Sequence, residues 1–316
     1  MTDSEKQAWQ EYIDNKISHS IGAVEYGNFF YDQIKEIADS AKDDCDAILV
    51  EYKRCGTKTK CNLIKSKIDE RLEELEEEIA SFINSELPKI IENENEWLDN
   101  DVAPFLGIKF DKVRSALSLL AAIPIAQIVS ASTFANNTTN KLRNIYNSIL
   151  GQSLVTGSPF EDSKEDFTPR FNTFDNQLET EAETLGFGLS DQYDRIIFTK
   201  NDKKIKRYIW TAILDTHTCI GCGELDGQIF DSIESVPMYA KHANCRCTIL
   251  PLNEDFEEEE VRETYSEWFE RQPKKEKRAI LGKTRFQLYE QGMKIKQFVN
   301  NGKITPLKDL KPNQTE

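Results

Sequence analysis

Residues 215–247, DTHTCIGCGELDGQIFDSIESVPMYAKHANCRC, gather four of the chain's seven cysteines and two of its three histidines. Cys219 and Cys222 form a CxxC pair, and His242, Cys245 and Cys247 form an HxxCxC cluster further along. Two intervening residues let a tight turn aim two thiolates at one ion, and a second turn supplies the other half of a tetrahedron. The pattern predicts a structural zinc site held by four of these five side chains. If the backbone is extended at Cys245 and Cys247, both thiols face one side and either can be the fourth ligand, with Cys245 preferred.

Other chemistry competes for the same residues. A disulfide is disfavoured in a reducing compartment, and a redox CxxC belongs in a βαβ pattern that this sequence does not show. A catalytic zinc keeps an open coordination position and needs a general base, whereas five available ligands favour a closed site. His217, Glu224 and Asp226 are the nearby acid-base candidates, and would serve a zinc-dependent nuclease or toxin-like effector. Their plainer reading is a solvent-facing turn residue and carboxylates outside any site. A host zinc-ribbon interaction protein is a further alternative.

The chain has 316 residues, 39% hydrophobic and 30% charged, enough for two or so domains with a sizeable core. A formal charge of −15 argues against coating nucleic acid by bulk electrostatics, so any DNA contact must be local. The N-terminal residues lack a basic start followed by an apolar run, which predicts a reducing compartment. Cys45, Cys55 and Cys61 have no accompanying histidine and gaps that no zinc knuckle uses, and read as ordinary thiols.

Most of the remaining sequence is helical. Apolar residues from Trp9 to Leu49 recur at helical spacing, predicting two helices broken near Gly22 or Gly27. Ile64, Ile68, Leu72, Leu75, Ile79 and Ile83 mark a long amphipathic helix that Pro88 should interrupt. Its EELEEE run is a solvated face or, alternatively, an acidic surface for a basic partner. Residues 115–140 carry no charge and are a formal membrane-span candidate, but Pro124, Gln127 and several hydroxyl residues favour a buried hairpin or kinked helix. A helix stopped by Gly151, a loop or hinge, and a helix from Arg170 ended by the GFG triplet follow. A short hairpin turning at Asn201-Asp202 should lead into the CxxC knuckle, with strands at 205–214, 228–230 and 246–251 around the site. The GCG and GFG triplets read as too short to carry meaning, and Arg246 could grip a carboxylate or a phosphate.

Trp210, Asp215, Thr218, Cys219, Cys222, Leu225, Asp226, Gly227, Phe230, Pro237, His242, Cys245, Arg246 and Cys247 together resemble the signature of the phage Mu F-like minor head, or head morphogenesis, proteins. His217 and the MYAK segment before His242 depart from that pattern without removing a ligand. The stretch YSEWFERQPKKEKRAILGKTR and the closing TPLKDL are similar to the tail many such proteins carry. The resemblance implies a minor structural protein of a tailed-phage head rather than an enzyme. Such a protein is made in the bacterial cytoplasm and lodged inside the head near the portal. Its implied partners are the portal protein, the major capsid or scaffolding protein, and packaged DNA; a membrane is not among them. Lys274, Lys275, Lys277, Arg278, Lys283 and Arg285, in the basic stretch of the tail, are the candidate DNA contacts.

The expected fold is mainly α, with a long helical N-terminal part, a small zinc-stabilised α+β module and a helical C-terminal tail. The expected divisions are a partner-docking helical part at 1–150, a hinge and linking helix at 151–189, the zinc-binding module at 190–253 and the charged tail at 254–316.

Overall fold

The computed structural model describes residues 3–112, 130–237, 245–252, 263–300 and 302–310. The fold is mainly α, as the periodicity predicts. Helix α1 spans Asp3–Tyr52 and α2 spans Lys58–Trp97, which runs on through a π turn, Leu98–Val102, into the short α3, Ala103–Leu106. Helix α4 is Ala131–Thr156 and α5 is Lys164–Lys200. The chain divides into two compact units, one of Val24–Asn93 with Val113–Ser190, the other of Met1–Ala23, Glu94–Lys112 and Asp191–Glu316.

In the first unit, apolar side chains spaced three and four apart put one face of each helix into a shared core. Phe30, Ile34 and Ala41 of α1, Ile64, Leu72 and Ile79 of α2, Leu142 and Tyr146 of α4, and Phe174 and Leu178 of α5 are all buried there. Three punctuation signals in the sequence turn out to mark packing instead of breaks. Helix α1 continues through Gly22 and Gly27, because Gly27 lies where α1 meets α5: a Cβ there would sit 2.4 Å from the Glu183 Cα. Gly186, in the GFG triplet that should have ended α5, faces Gly27 in turn, its own Cβ position 2.4 Å from the Gly27 nitrogen. Helix α2 likewise passes Pro88, with Leu87 and Ile90 buried on either side, so apolar burial offsets the missing backbone donor. Helix α4 also runs past Gly151 and ends at Gly157, whose φ of 74° closes the helix in a left-handed cap. Much of the predicted hinge is therefore helix.

Cys55 and Cys61 form a disulfide at the turn between α1 and α2, contrary to their expected reading as ordinary thiols. The turn brings their Cα atoms to 4.5 Å, within the range a disulfide spans. Residues 115–129 of the uncharged stretch lie outside the described residues, and 131–140 are the start of α4. Among the described residues no helix is long and apolar enough to cross a membrane.

The second unit carries the small sheet. Strand β1, Arg207–Thr211, lies between β2, Ile229–Phe230, and β3, Thr248–Leu252, both antiparallel to it. The predicted hairpin before the knuckle is not formed: its first arm is the end of α5. Asn201 caps that helix, its side-chain amide donating to the Ile197 carbonyl at 2.8 Å and the Asp111 carbonyl at 3.1 Å. The first helical turns of α1 belong to this unit, and Lys16 is buried there against Asp194 at 2.5 Å, its ammonium 3.8 Å from the centre of the Trp97 ring. His19 stacks on the same tryptophan and meets Glu94 at 2.8 Å. The buried Tyr12 hydroxyl reaches the Pro251 carbonyl at the end of β3.

Candidate metal centre

The cysteines are delivered by two loops of the sheet. After β1 the chain turns at Asp215, whose Oδ1 accepts from the His217 and Thr218 amides, each at 3.0 Å. Cys219 then caps the one-turn helix α6, Ile220–Gly223, its sulfur accepting from the Cys222 amide at 3.4 Å. Gly227, at a φ of 81° that favours glycine, closes the turn into β2, and its amide bonds the Trp210 carbonyl at 2.9 Å. Cys245 and Cys247 lie in the segment that leads into β3.

This framework brings the sulfurs of Cys222, Cys245 and Cys247 within 4.8 Å of one another, and all three residues are buried. The Cys222 and Cys245 sulfurs are 3.8 Å apart. Both Cys245 and Cys247 are in the cluster, where the sequence reading preferred the first. Cys219 is half-buried beside Cys222. Hydrogen bonding with Cys219, Cys245 and Cys247, with burial added, pushes the Cys222 thiol far above its ordinary range. At Cys247 the bond to Cys222 acts downward, but Cys245 and burial outweigh it and the thiol is also raised. Soft sulfur donors converging in a buried, water-poor spot are what a soft divalent ion requires, so the donor set fits a metal. His242 lies outside the described residues.

Arg246, between Cys245 and Cys247, bonds a carboxylate. One guanidinium nitrogen lies 2.8 and 2.7 Å from the two Asp215 oxygens. The arginine between the two later cysteines thus holds the turn that presents the earlier pair.

The tail docks on the same knuckle. Helix α7, Tyr265–Arg271, starts at a Thr264 capping box, and the Tyr265 amide donates to Asp226 Oδ2 at 2.9 Å. The other Asp226 oxygen accepts from the Ala212 amide at 2.7 Å, so one carboxylate joins β1 to the tail. The Tyr265 hydroxyl donates to the Thr218 carbonyl at 2.8 Å, and its ring covers Gly223, where a Cβ would sit 2.0 Å from a ring carbon. Glu224 accepts from the Gly302 amide at 2.7 Å, and a Cβ at Gly221 would meet the Gly302 carbonyl at 2.7 Å. Ile220 enters the apolar cluster of Phe269, Leu281 and Phe298. These contacts were missed in the sequence, although the two glycines around Cys222 in CIGCGE were the available signal. Glu224 and Asp226, named as acid-base candidates, are engaged by backbone amides, and His217 is exposed.

The candidate DNA contacts fall on α8, Lys274–Glu290, where Gly282 at φ 70° makes the LGxxR kink. Lys274, Lys275, Arg278 and Lys283 are exposed. Lys274 pairs with Glu290 at 2.9 Å. Lys277 is half-buried against Glu270 and Tyr289, and Arg285 donates to the Thr305 carbonyl at 2.9 Å. The six cations therefore split into those exposed on α8 and two engaged within the tail.

Residues 144–250 match the family model described as Phage Mu protein F like protein. Over that stretch the chain is similar to the phage Mu F-like family. The matched stretch is about a third of the length and contains all four described cysteines of the knuckle region. No curated protein and no solved structure matches the chain. That family is one of phage head morphogenesis.

Proposed function

We propose that the chain is a minor component of a tailed-phage head, bound to the portal or inner shell during assembly, with its cysteine cluster closed around a structural zinc. The observation that carries this reading is the coincidence of the family match with a buried three-sulfur cluster on which the sheet, knuckle and tail converge. Cys219, Cys222, Cys245 and Cys247 would hold the ion, with His242 the alternative fourth ligand. The zinc supplies folding free energy to a module whose sheet has only three short strands. Arg246 and Asp215 keep the two ligand turns in register, and Asp226 and Glu224 carry the tail.

The helical N-terminal part docks on the head partner, and the exposed cations of α8 lie beside packaged DNA. The chain then resides inside the virion head near the portal. The zinc-dependent nuclease reading needs a free general base beside the metal, and Glu224 and Asp226 are already occupied. Metal analysis of the wild-type chain and a Cys219→Ser variant tests the proposal. It expects one zinc per chain, lost together with the module's fold. A folded, zinc-free variant that has lost only a hydrolytic activity would overturn it.

A further inference from the structure

The loop between α1 and α2 differs from the rest of the helical unit. Lys53, Arg54 and Lys58 are exposed on it, and no ion pair joins their side chains to any described residue. The other described exposed cations of the helical unit are engaged: Lys89 pairs with Glu86 at 2.9 Å and Arg170 donates to Ser148 Oγ at 2.9 Å. The acidic run of α2, by contrast, is partly satisfied, Glu74 and Glu78 by Arg71 and Glu76 by Asn136. The helix ends that flank the loop carry exposed aliphatic side chains. Val50 is 74% exposed on the last turn of α1, and Val155 is 87% exposed on the last turn of α4. Leu154 and Leu63 are exposed beside them.

The loop is also held in one shape. The Cys55–Cys61 disulfide closes it, the Cys55 amide donates to Ser153 Oγ at 3.1 Å, and the Phe160 amide donates to the Lys53 carbonyl at 2.8 Å. Lys53 takes a φ of 62°, and no other described residue besides glycines has a positive φ. The Lys53 amide donates to the Leu49 carbonyl at 2.9 Å, the left-handed cap that ends α1. Preorganised cations and exposed aliphatics lose little on docking.

We infer that this tip is the surface by which the helical part docks on a protein partner that presents carboxylates around an apolar spot. The inference rests on the head-assembly reading and supplies the surface which that reading leaves open. Charge complementarity points to the occupant: three unpaired cations on a chain of net charge −15 select an acidic patch locally. Aliphatic side chains gain nothing from phosphates. The ring of Tyr52, which could have stacked on a base, already lies under Lys60 and Lys67. A protein surface therefore fits better than nucleic acid or an anionic membrane.

The test mixes the full chain with purified portal rings and, separately, with the major capsid protein of the same phage. Binding is measured for wild type, a Lys53→Glu/Arg54→Glu/Lys58→Glu variant and a Val50→Ser/Val155→Ser variant, each checked for unchanged helix content. Charge inversion is expected to weaken binding at least tenfold and the valine pair severalfold, with wild-type binding falling as salt rises. Wild-type binding that both variants retain overturns the tip and leaves the head-assembly reading intact. If wild type binds neither partner, both fall. Duplex DNA or phosphatidylglycerol vesicles bound by wild type and released by the charge variant, with portal and capsid binding unchanged, would assign the tip to that ligand and overturn the protein partner.

Discussion

The helical unit and the cysteine module reach order by different routes. In the helical unit, long helices present an apolar residue every third or fourth position, and the core is continuous from Phe30 to Leu189. In the module, strands of two to five residues meet at a three-sulfur cluster, and carboxylates take over where apolar area is short. Asp215 is gripped by Arg246, and Asp226 bonds two backbone amides. A unit with a large core can lose one contact and persist. A small one held through a single junction cannot, so the cysteine cluster is where it is most easily broken.

The contrast can be broken most sharply at the junction itself. Replacing Cys222 with Ser should remove the metal and unfold the module, a loss on the order of 10 kcal/mol of metal-linked folding free energy, while most far-ultraviolet helical signal remains. Loss of helical signal throughout would show that the two regions do not differ in this way. Next in size is Lys16→Met, which leaves Asp194 buried without its cation and should cost about 3–5 kcal/mol in chemical denaturation. Changing Asp194 to Asn in the same chain should recover part of that loss.

Gly27→Leu probes the other region. Its side chain would run into the Glu183 backbone, so the helical unit should lose about 3 kcal/mol in thermal or chemical melts with zinc content unaltered. The smallest effect is expected at the tail's helix cap, where Thr264→Ala should cost about 1 kcal/mol, read by hydrogen exchange in α7. Backbone and side-chain bonds from Thr264 hold the Glu267 carboxyl below its ordinary pKa. A depressed acid stabilises the fold above its unfolded pKa. That part of the cap is therefore lost as the pH falls through the folded value, and α7 exchange should quicken there.

Periodicity made the helical unit legible: the buried positions of α2 follow the spacing of Ile64, Ile68, Leu72, Leu75 and Ile79. What misled was local punctuation. Gly27 and Gly186 are signals of close approach between helices far apart in sequence, and no local rule separates that from a break. The hairpin expected around Asn201 failed for a related reason: RIIF also suits a helix, and burial of Tyr193, Ile197 and Phe198 decides in favour of it. The cysteine spacing was legible because two short motifs bring Cys222, Cys245 and Cys247 together, a set that could hold a metal. The joint between knuckle and tail was not, since the roles of Gly221, Gly223 and Asp226 depend on Tyr265 and Gly302, residues about forty to eighty positions on.

The central claim is that a metal at the cysteine cluster folds this module while packing folds the helices. Hydrogen exchange on the full chain, before and after zinc is withdrawn with a chelator, tests it most directly. Amides in β1, α6 and β3 and at the start of α7 should lose protection together, returning when zinc is restored, while those of α2 between Ile64 and Ile90 stay protected. Protection of the module that is unchanged in zinc-free protein would contradict the account.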